Sequence, residues 1–501
     1  MSGPGSSDRR DGHGRRGPRQ RSRTAPAQRS RRGDPARSTA HDVLRAVAEG
    51  AYANLELPKA LRRARLSGRD AAFATELTYG TLRMQGFYDA VIADAAQRPT
   101  GRLDGAVLDV LRLGAHQVLG MRVPEHAAAD QSVGLARAVA GPGAAGLVNA
   151  VMRRISERPL EEWQERVVPA EPFAEQMAIR HSHPIWVVKA LRQALIGHGA
   201  ATPESGDEAV DELLAVHNVP APVSLVARPG LADLDELMAA GARPGRWSPV
   251  AAELDGGDPG AIPAVREGRA AVQDEGSQLL ALALAAVPLT ERADGVPERW
   301  LDLCAGPGGK AGLLAASALR QGADLVANEV SGHRSELVRQ TLRPAVEAAR
   351  EAGRSLEVRT GDGRELGTDE PESYDRVLVD APCTGLGALR RRPEARWRRQ
   401  PADLVALGPL QRDLLVSAIE ATRPGGVIAY ATCSPHLSET TFVVRDVLKK
   451  RDDVEQIDAR EALAQVATGD LTDLGDGPHA QMWPHRHGTD GMFLALLRKT
   501  T

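Results

Sequence analysis

The sequence predicts an α/β protein: a mostly parallel, doubly wound sheet in the C-terminal half, preceded by an all-α domain and a small α+β module. Three observations predict it. From Asp274 onward short apolar runs alternate with helical segments, the pattern of strand–helix–strand units. Residues 38–158 instead repeat apolar positions at helical spacing. The 501 residues are enough for about three domains. With aromatics at 3%, the cores must be built from Ala, Val and Leu.

The elements follow in chain order. Residues 1–37 carry 11 arginines and three aspartates, a local charge of +8 in a chain whose net charge is -3. They have no apolar period and are expected to be disordered. Such a tail reads either as an arm for phosphate backbones or as a solubilising terminus. Residues 38–160 form the helical domain, with AHDVLRAVAEGAYANLELPKALRRA and GAVLDVLRLGAHQVLGM as its clearest helices, broken at Pro124 and at AGPGAAG. Residues 161–215 read as a helical connector containing WVVKALRQAL. In 216–273, VSLVARPG reads as a strand, LADLDELMAAG as a helix and AAVQDEG as a strand or the lead into the next domain. The sheet of 274–501 takes its strands from RWLDLCA, ADLVANEV, LEVRTGD, YDRVLVDAP and GGVIAYATCS, with KAGLLAASALRQ and HRSELVRQTLRPAVEAAREAG as helices between them.

Composition excludes several classes. A hydrophobic fraction of 42% with 26% charged residues describes a soluble globular chain. The longest apolar stretch, residues 279–289, is too short to span a bilayer, and no apolar signal segment opens the chain. Three cysteines argue against a disulfide framework and for a reducing, cytoplasmic setting. No metal is expected: the cysteines lack paired spacing, and His479, His485 and His487 have no acid or thiol at ligand spacing. That histidine segment reads as a flexible loop.

Ligands of doubly wound sheets bind outside the carboxyl ends of the strands, and the chemically distinctive residues fall there. RWLDLC runs into AGPGGK and then a helix, so small residues allow close backbone approach beside a helix N-terminus. A β-branched residue at Gly308 is expected to block close approach of a cofactor and abolish its binding while the protein stays folded. The loop is no phosphate-binding P-loop, because Cys304 stands where the first glycine belongs and Ala311 where Ser or Thr belongs. Gly306, Gly308 and Ala311 do fit the dinucleotide pattern, and Glu329 ends the next strand, where an acid suits a ribose diol. The loop therefore fits a nicotinamide or another adenosine-bearing cofactor, or a turn glycine-rich only for packing. Cys383 and Cys433 end two further strands. A lone cysteine is usually a small buried hydrophobe, but a thiolate in a cleft is a strong nucleophile. Methyl transfer to C5 of a pyrimidine needs one, since C5 becomes nucleophilic only after a thiolate adds to C6; a dehydrogenase needs none.

LDLCAGPGGK, DAPCTGLG and ATCSPHLSETTFVV, with VQDEGSQLLALAL and DGMFLALL, together resemble the RNA cytosine-C5 methyltransferases. ARSTAHDVLRAV, ELTYGTLR and LVNAVMRRI resemble a NusB-type helical RNA-binding domain, a fusion similar to the Sun/RsmB (Fmu) branch, whose members modify small-subunit ribosomal RNA. The resemblance implies a Rossmann-like class I methyltransferase domain using S-adenosylmethionine, with 16S ribosomal RNA as partner, no membrane, and a monomer. It implies Cys433 as the nucleophile and Cys383 as the group that helps remove the C5 proton. Asp380 would contact the cytosine near N3 and lie near the cofactor. Cys304, Ala305, Gly306, Pro307, Gly308, Gly309 and Lys310 would form the cofactor loop. Glu329 would take the ribose hydroxyls, although family members commonly carry Asp there; Asn328 beside it is a second candidate. Asp362 would lie beside the adenine, against its alternative as a helix cap. Arg390, Arg391, Arg392, Arg396, Arg398 and Arg399 would hold RNA phosphates and Trp397 would stack on a base, against the alternative of a solvated helix face. HPIWVVKAL resembles a segment preceding such cores and has no assigned chemistry. The rival reading is a non-catalytic RNA-binding assembly or antitermination factor, which would have no use for two strand-end thiols.

Overall fold

The computed structural model of the protein describes residues 34–290 and 295–500. Nearly all of the basic tail, residues 1–33, thus lies outside the described residues. Helix α1 (Pro35–Ala48) begins ahead of residue 38, because Asp34 accepts the Arg37 N–H at 2.9 Å and Pro35 takes the first helical position. Six helices follow: α2 (Ala53–Ala64), α3 (Gly68–Arg83), α4 (Gln85–Ala96), α5 (Gly105–Ala115), α6 (Glu125–Val139) and α7 (Pro142–Ser156). Their apolar stripes meet around Val43, Leu57, Leu77, Phe87, Val110 and Val148. The connector is helical: α8 (Leu160–Val167), α9 (Phe173–Arg180), α10 (Ile185–Gly197) and α11 (Gly206–His217). Leu386, Leu389 and Trp483 of the C-terminal region share its core.

The small module is an antiparallel sheet in the order β2-β3-β1-β4, from β1 (Val223–Ala227), β2 (Arg243–Pro244), β3 (Ala251–Leu254) and β4 (Ala270–Val272), with α12 (Leu234–Ala239) and α13 (Pro263–Arg266) against it. β2 and β3 are absent from the sequence reading, because AAEL and Arg-Pro carry neither β-branched residues nor a period.

Helix α14 (Glu275–Ala286), capped by Asp274, leads into the large sheet. Its parallel strands are β5 (Arg299–Asp302), β6 (Asp324–Glu329), β7 (Leu356–Thr360), β8 (Tyr374–Asp380) and β9 (Thr422–Thr432). Helices α15 (Gly309–Arg320), α16 (Gly332–Glu351), α17 (Leu366–Asp369), α18 (Ala395–Arg398) and α19 (Pro401–Ala421) fall between them. After β9 come α20 (Thr441–Leu448), β10 (Val454–Ile457), α21 (Ala459–Val466), β11 (Ala480–Gln481), α22 (Pro484–His487) and β12 (Phe493–Lys499). The order is β10-β12-β9-β8-β5-β6-β7, with β12 antiparallel to both neighbours and β11 paired to it. The expected doubly wound sheet is present, and its order reverses between β5 and β8, the crevice where such sheets bind ligands. Apolar cores cover both faces, one around Leu314, Leu342 and Leu284, the other around Val379, Leu415 and Ile428.

The histidine segment is not a flexible loop. His487 is buried in α22; its Nδ1 accepts the Trp483 N–H at 2.8 Å and its Nε2 lies 2.9 Å from the Thr472 carbonyl. His479 packs on Phe493. The order comes from Phe493 of the nearby β12, from Thr472 and, far back in the chain, from Trp247, whose Nε1 donates to the His487 carbonyl at 2.7 Å. Among the described residues no group of His, Cys, Asp and Glu could hold a metal, and no helix is long and apolar enough to cross a membrane.

Candidate active site

The carboxyl ends of β5, β6, β8 and β9 bring the sequence-predicted residues together. After β5, Gly308 adopts φ +115° and opens α15. A Cβ on Gly308 would come within 2.8 Å of the Thr341 Cβ on α16, and one on Gly306 within 2.1 Å of the Glu329 carboxylate. Gly308 is therefore required by the fold itself, and the expectation that it could be blocked without disturbing the protein is corrected. At Gly309 a Cβ would meet nothing within 4 Å. The open side of the loop lies at the first turn of α15, whose N–H groups have no intrahelical acceptor. Glu329, at the end of β6, is buried and accepts the N–H groups of Gly306 at 3.1 Å and Ser331 at 2.9 Å, with Arg334 at 3.4 Å. A carboxylate offers about four lone-pair sites, so acceptor capacity remains. Asn328 donates to the carbonyls of Leu303 and Gly361, both at 3.1 Å, and so belongs to the frame. Asp362 accepts the Arg364 N–H at 3.0 Å and pairs with its guanidinium at 2.5 Å, which holds its carboxyl below the usual range. This bond closes a turn between β7 and α17 rather than capping the helix, whose N-cap is Glu365. An open glycine loop, a helix N-terminus and a strand-end acid form a donor and acceptor set that fits an adenosine-bearing cofactor.

Inside this loop the electrostatics are arranged around Lys310. Its ammonium lies 2.9 Å from Asp380 Oδ2. Burial works against the charge, but Asp380 first and Cys433 after it more than offset it and raise the Lys310 pKa. Asp302, 1% exposed at the end of β5, is pushed up to about 8 by burial and by the charge of Asp380, and so keeps a proton at neutral pH. Burial likewise pushes up the Cys304 thiol and keeps it neutral.

The Cys383 and Cys433 sulfurs are 3.4 Å apart, each partly exposed and neither in a disulfide. Two thiols at this distance share one proton unequally. Cys433 is lowered, first by the hydrogen bond from Cys383 and then by Lys310 and Arg392, against burial and Asp380. The same bond holds the proton on Cys383, and burial and Glu439 add to that. Cys433 is thus the more acidic of the pair and Cys383 the one that keeps its proton.

A residue not singled out in the sequence locks this arrangement. Glu439, fully buried, accepts from Thr384 N at 2.8 Å, Thr384 Oγ1 at 2.5 Å and Gln411 Nε2 at 3.3 Å. Gln411 also donates to the Pro382 carbonyl at 2.8 Å, so both sides of Cys383 are tied down. Gly387 N–H donates to the Cys433 carbonyl at 2.9 Å and Gly491 N–H to the Gly387 carbonyl at 2.8 Å, which joins the DGMF segment to both thiol loops. The only sequence signal for Glu439 is an acid in a short loop after a strand-end thiol.

Most of the arginine cluster is not a phosphate surface, a correction to the sequence reading. Arg396 is 0% exposed and donates to the carbonyls of Arg83 at 2.9 Å, His217 at 2.7 Å and Ser182 at 3.3 Å, and to Asn218 Oδ1 at 2.8 Å. Arg391 bridges Asp274 at 2.8 Å and Asp490 at 3.1 Å. Arg390 donates to the carbonyls of Val219, Pro220 and Gly488. Arg398 donates to those of Val47 and Ala51, and Arg399 to those of Cys383 and Thr384. Trp397 packs on Gly86. Main-chain carbonyls left over at helix ends consume these guanidiniums. The exception is Arg392.

Comparison with known proteins accords with this geometry. Residues 292–498 match the family described as 16S rRNA methyltransferase RsmB/F, and residues 34–157 match the NusB family. The chain is 50% identical to protein Rv1407 of Mycobacterium tuberculosis over 91% of this chain and 95% of that one. It is 34% identical to ribosomal RNA small subunit methyltransferase B of Thermus thermophilus, over 90% of this chain and 95% of the other, and 32% identical to the protein of that name in Pseudomonas putida, over 91% and 96%. The crystal structure of PH0851 has the same fold, with a TM-score of 0.74 at 21% identity over 93% of this chain and 99% of that one. The chain belongs to the RsmB/F family and is an S-adenosylmethionine-dependent RNA methyltransferase.

Proposed function

We propose that the protein methylates C5 of a cytosine in 16S ribosomal RNA through a covalent adduct on Cys433. The observation that carries this reading is the thiol pair, 3.4 Å apart at the ends of adjacent strands beside Lys310 and Asp380. Methyl transfer to most oxygen or nitrogen acceptors needs no thiol at all, whereas C5 of cytosine needs one to become nucleophilic. The Thermus and Pseudomonas relatives named for small-subunit ribosomal RNA, with the NusB match, support the choice of RNA.

Cys304, Ala305, Gly306, Pro307, Gly308, Gly309 and Lys310 would hold the cofactor, with Glu329 on its ribose hydroxyls, Asp362 beside its adenine and Asp380 near the reacting end. When bound, S-adenosylmethionine supplies an electrophilic methyl group. The target base must first leave its stack, which costs a few kcal/mol and is easiest in a loop. Cys433 adds to C6 and forms a C6–S bond while Asp380 steadies the N3 side of the ring, and C5 gains the electron density to accept the methyl group. That addition consumes the charge that held the proton on Cys383. Cys383 then releases its own proton to solvent and as thiolate takes the C5 proton; the C5–H pair forms the C5=C6 bond, the C6–S bond breaks, and its electron pair returns to Cys433.

Denaturing gels test the assignment. Cys383→Ala, incubated with RNA and cofactor, is expected to accumulate a covalent protein–RNA band, and Cys433→Ala to form none. The reverse pattern would exchange the two roles. Bisulfite sequencing of ribosomal RNA from a deletion strain is expected to lose one 5-methylcytosine in 16S RNA; an unchanged pattern refutes the function.

A further inference from the structure

We propose that Arg392 and Tyr52 form a subsite for one nucleotide of the substrate RNA, with a phosphate on the guanidinium and the adjoining base on the exposed face of the tyrosine ring. The inference rests on the RNA substrate proposed above and adds a residue of the NusB-like domain to the substrate path.

Of the six arginines that follow Cys383, five are engaged by carbonyls or carboxylates. Arg392 is exposed and, among the described residues, its guanidinium makes no hydrogen bond or ion pair. Its one contact is with Tyr52, whose ring centroid lies 5.8 Å from its guanidinium carbon. Tyr52 is 43% exposed, an unusual state for a large aromatic in a chain with so few. It is also held in place. Tyr52 is the N-cap of α2, and the next residue, Ala53, donates its N–H to Glu394 at 3.3 Å. Arg398 bonds the carbonyls of Val47 and Ala51 and lies over the same ring at 5.0 Å. The bonded joint holds the backbone on either side of the exposed ring, and the free guanidinium lies beside that ring, so the two groups are already paired before a ligand arrives.

The pair is placed where a strand leading to the thiols would pass. The loop bearing Arg392 starts at Cys383 and closes back on it through Arg399, which donates to the Thr384 carbonyl at 3.1 Å. Arg392 is close enough to help lower Cys433 and to oppose the rise that burial imposes on Asp490. Single-stranded RNA is gripped by this combination of a cation for the backbone and an aromatic face for a base. A structural role would instead have engaged Arg392 as its five neighbours are engaged.

The test is binding of a short single-stranded RNA oligonucleotide to the full chain, measured by fluorescence anisotropy across a salt series. Methyl transfer by the wild type to ribosomal RNA is measured in parallel. Arg392→Gln removes one phosphate contact and is expected to flatten the slope of log Kd against log salt by about 0.7, with Arg392→Lys restoring it. Tyr52→Ala is expected to weaken binding about fivefold to a hundredfold with the slope unchanged, and Tyr52→Phe to retain affinity. Both side chains are exposed, so these variants fold. Wild-type slope and affinity in Arg392→Gln and Tyr52→Ala, beside an active wild type, overturn the subsite alone. A wild type that transfers no methyl group to RNA overturns the function and the subsite with it.

Discussion

Removing Cys383 should make Cys433 a weaker acid, by an amount that follows from the one bond between them. The two sulfurs lie 3.4 Å apart, and the hydrogen bond between them is the largest influence lowering Cys433. A hydrogen bond to a charged group contributes about 1.5–3 kcal/mol, and one pH unit corresponds to about 1.36 kcal/mol. In Cys383→Ala the midpoint of Cys433 should therefore rise by about one to two pH units. The sign follows from the state the bond favours: it stabilises the thiolate, so its loss favours the thiol. Lys310 and Arg392 remain and keep the rise from being larger. In Cys433→Ala the opposite is expected, since Cys383 loses the neighbour that holds its proton. The assay is the rate of iodoacetamide alkylation against pH, with each cysteine followed by peptide mass spectrometry. Cys304, raised by burial, serves as the unreactive internal standard. An unchanged Cys433 midpoint in Cys383→Ala, or preferential alkylation of Cys383 in the wild type, would refute the reasoning.

Four further outcomes are expected. Glu439→Gln places an amide donor against the Thr384 donors, so it should destabilise the protein by about 1–3 kcal/mol in urea denaturation and prolong any covalent adduct; wild-type stability would show that the clamp is dispensable. Gly308→Ala should cost about 1–3 kcal/mol through its φ of +115° and the Thr341 contact. Gly309→Ala should change stability by less than about 0.5 kcal/mol yet weaken S-adenosylhomocysteine binding in calorimetry; equal affinities would place the cofactor elsewhere. Arg396→Met should cost about 3 kcal/mol by chemical denaturation, because buried acceptors lose a charged donor. Part of that loss is offset by relief of the burial that pulls this guanidinium down to about 9; no loss would mean that the carbonyls find other partners.

The strand–helix alternation and the glycine loop were legible because they are local: each apolar run is buried along its own length, and a loop between strand and helix needs small residues wherever it occurs. Strand β12 was not assigned, since FLALLRK is buried at six of its seven positions and shows no alternation. The arginines misled for a different reason. Their acceptors are main-chain carbonyls up to 351 residues away in sequence, and a carbonyl leaves no trace in the letters of a sequence. Glu439 escaped for the same reason, because its partners on the Cys383 loop lie 55 residues away. A run of positive charge reads alike whether solvent, phosphate or a distant helix end will receive it.

The joint between the NusB-like domain and the Cys383 loop is chemically one-sided, and this sets what evolution and engineering can change. The catalytic region supplies Glu394, Arg396 and Arg398, whereas the N-terminal side answers largely with backbone groups of Val47, Ala51, Ala53 and Arg83. A backbone group is the same whatever side chain it carries. Residues 47, 51 and 83 are therefore free to drift without loss of these bonds, while a replacement at 394, 396 or 398 that lacks the acceptor or donor loses them. A NusB-like domain grafted from a distant relative should dock on this catalytic core if its backbone course is preserved, and a catalytic core grafted without residues 394–398 should not receive one.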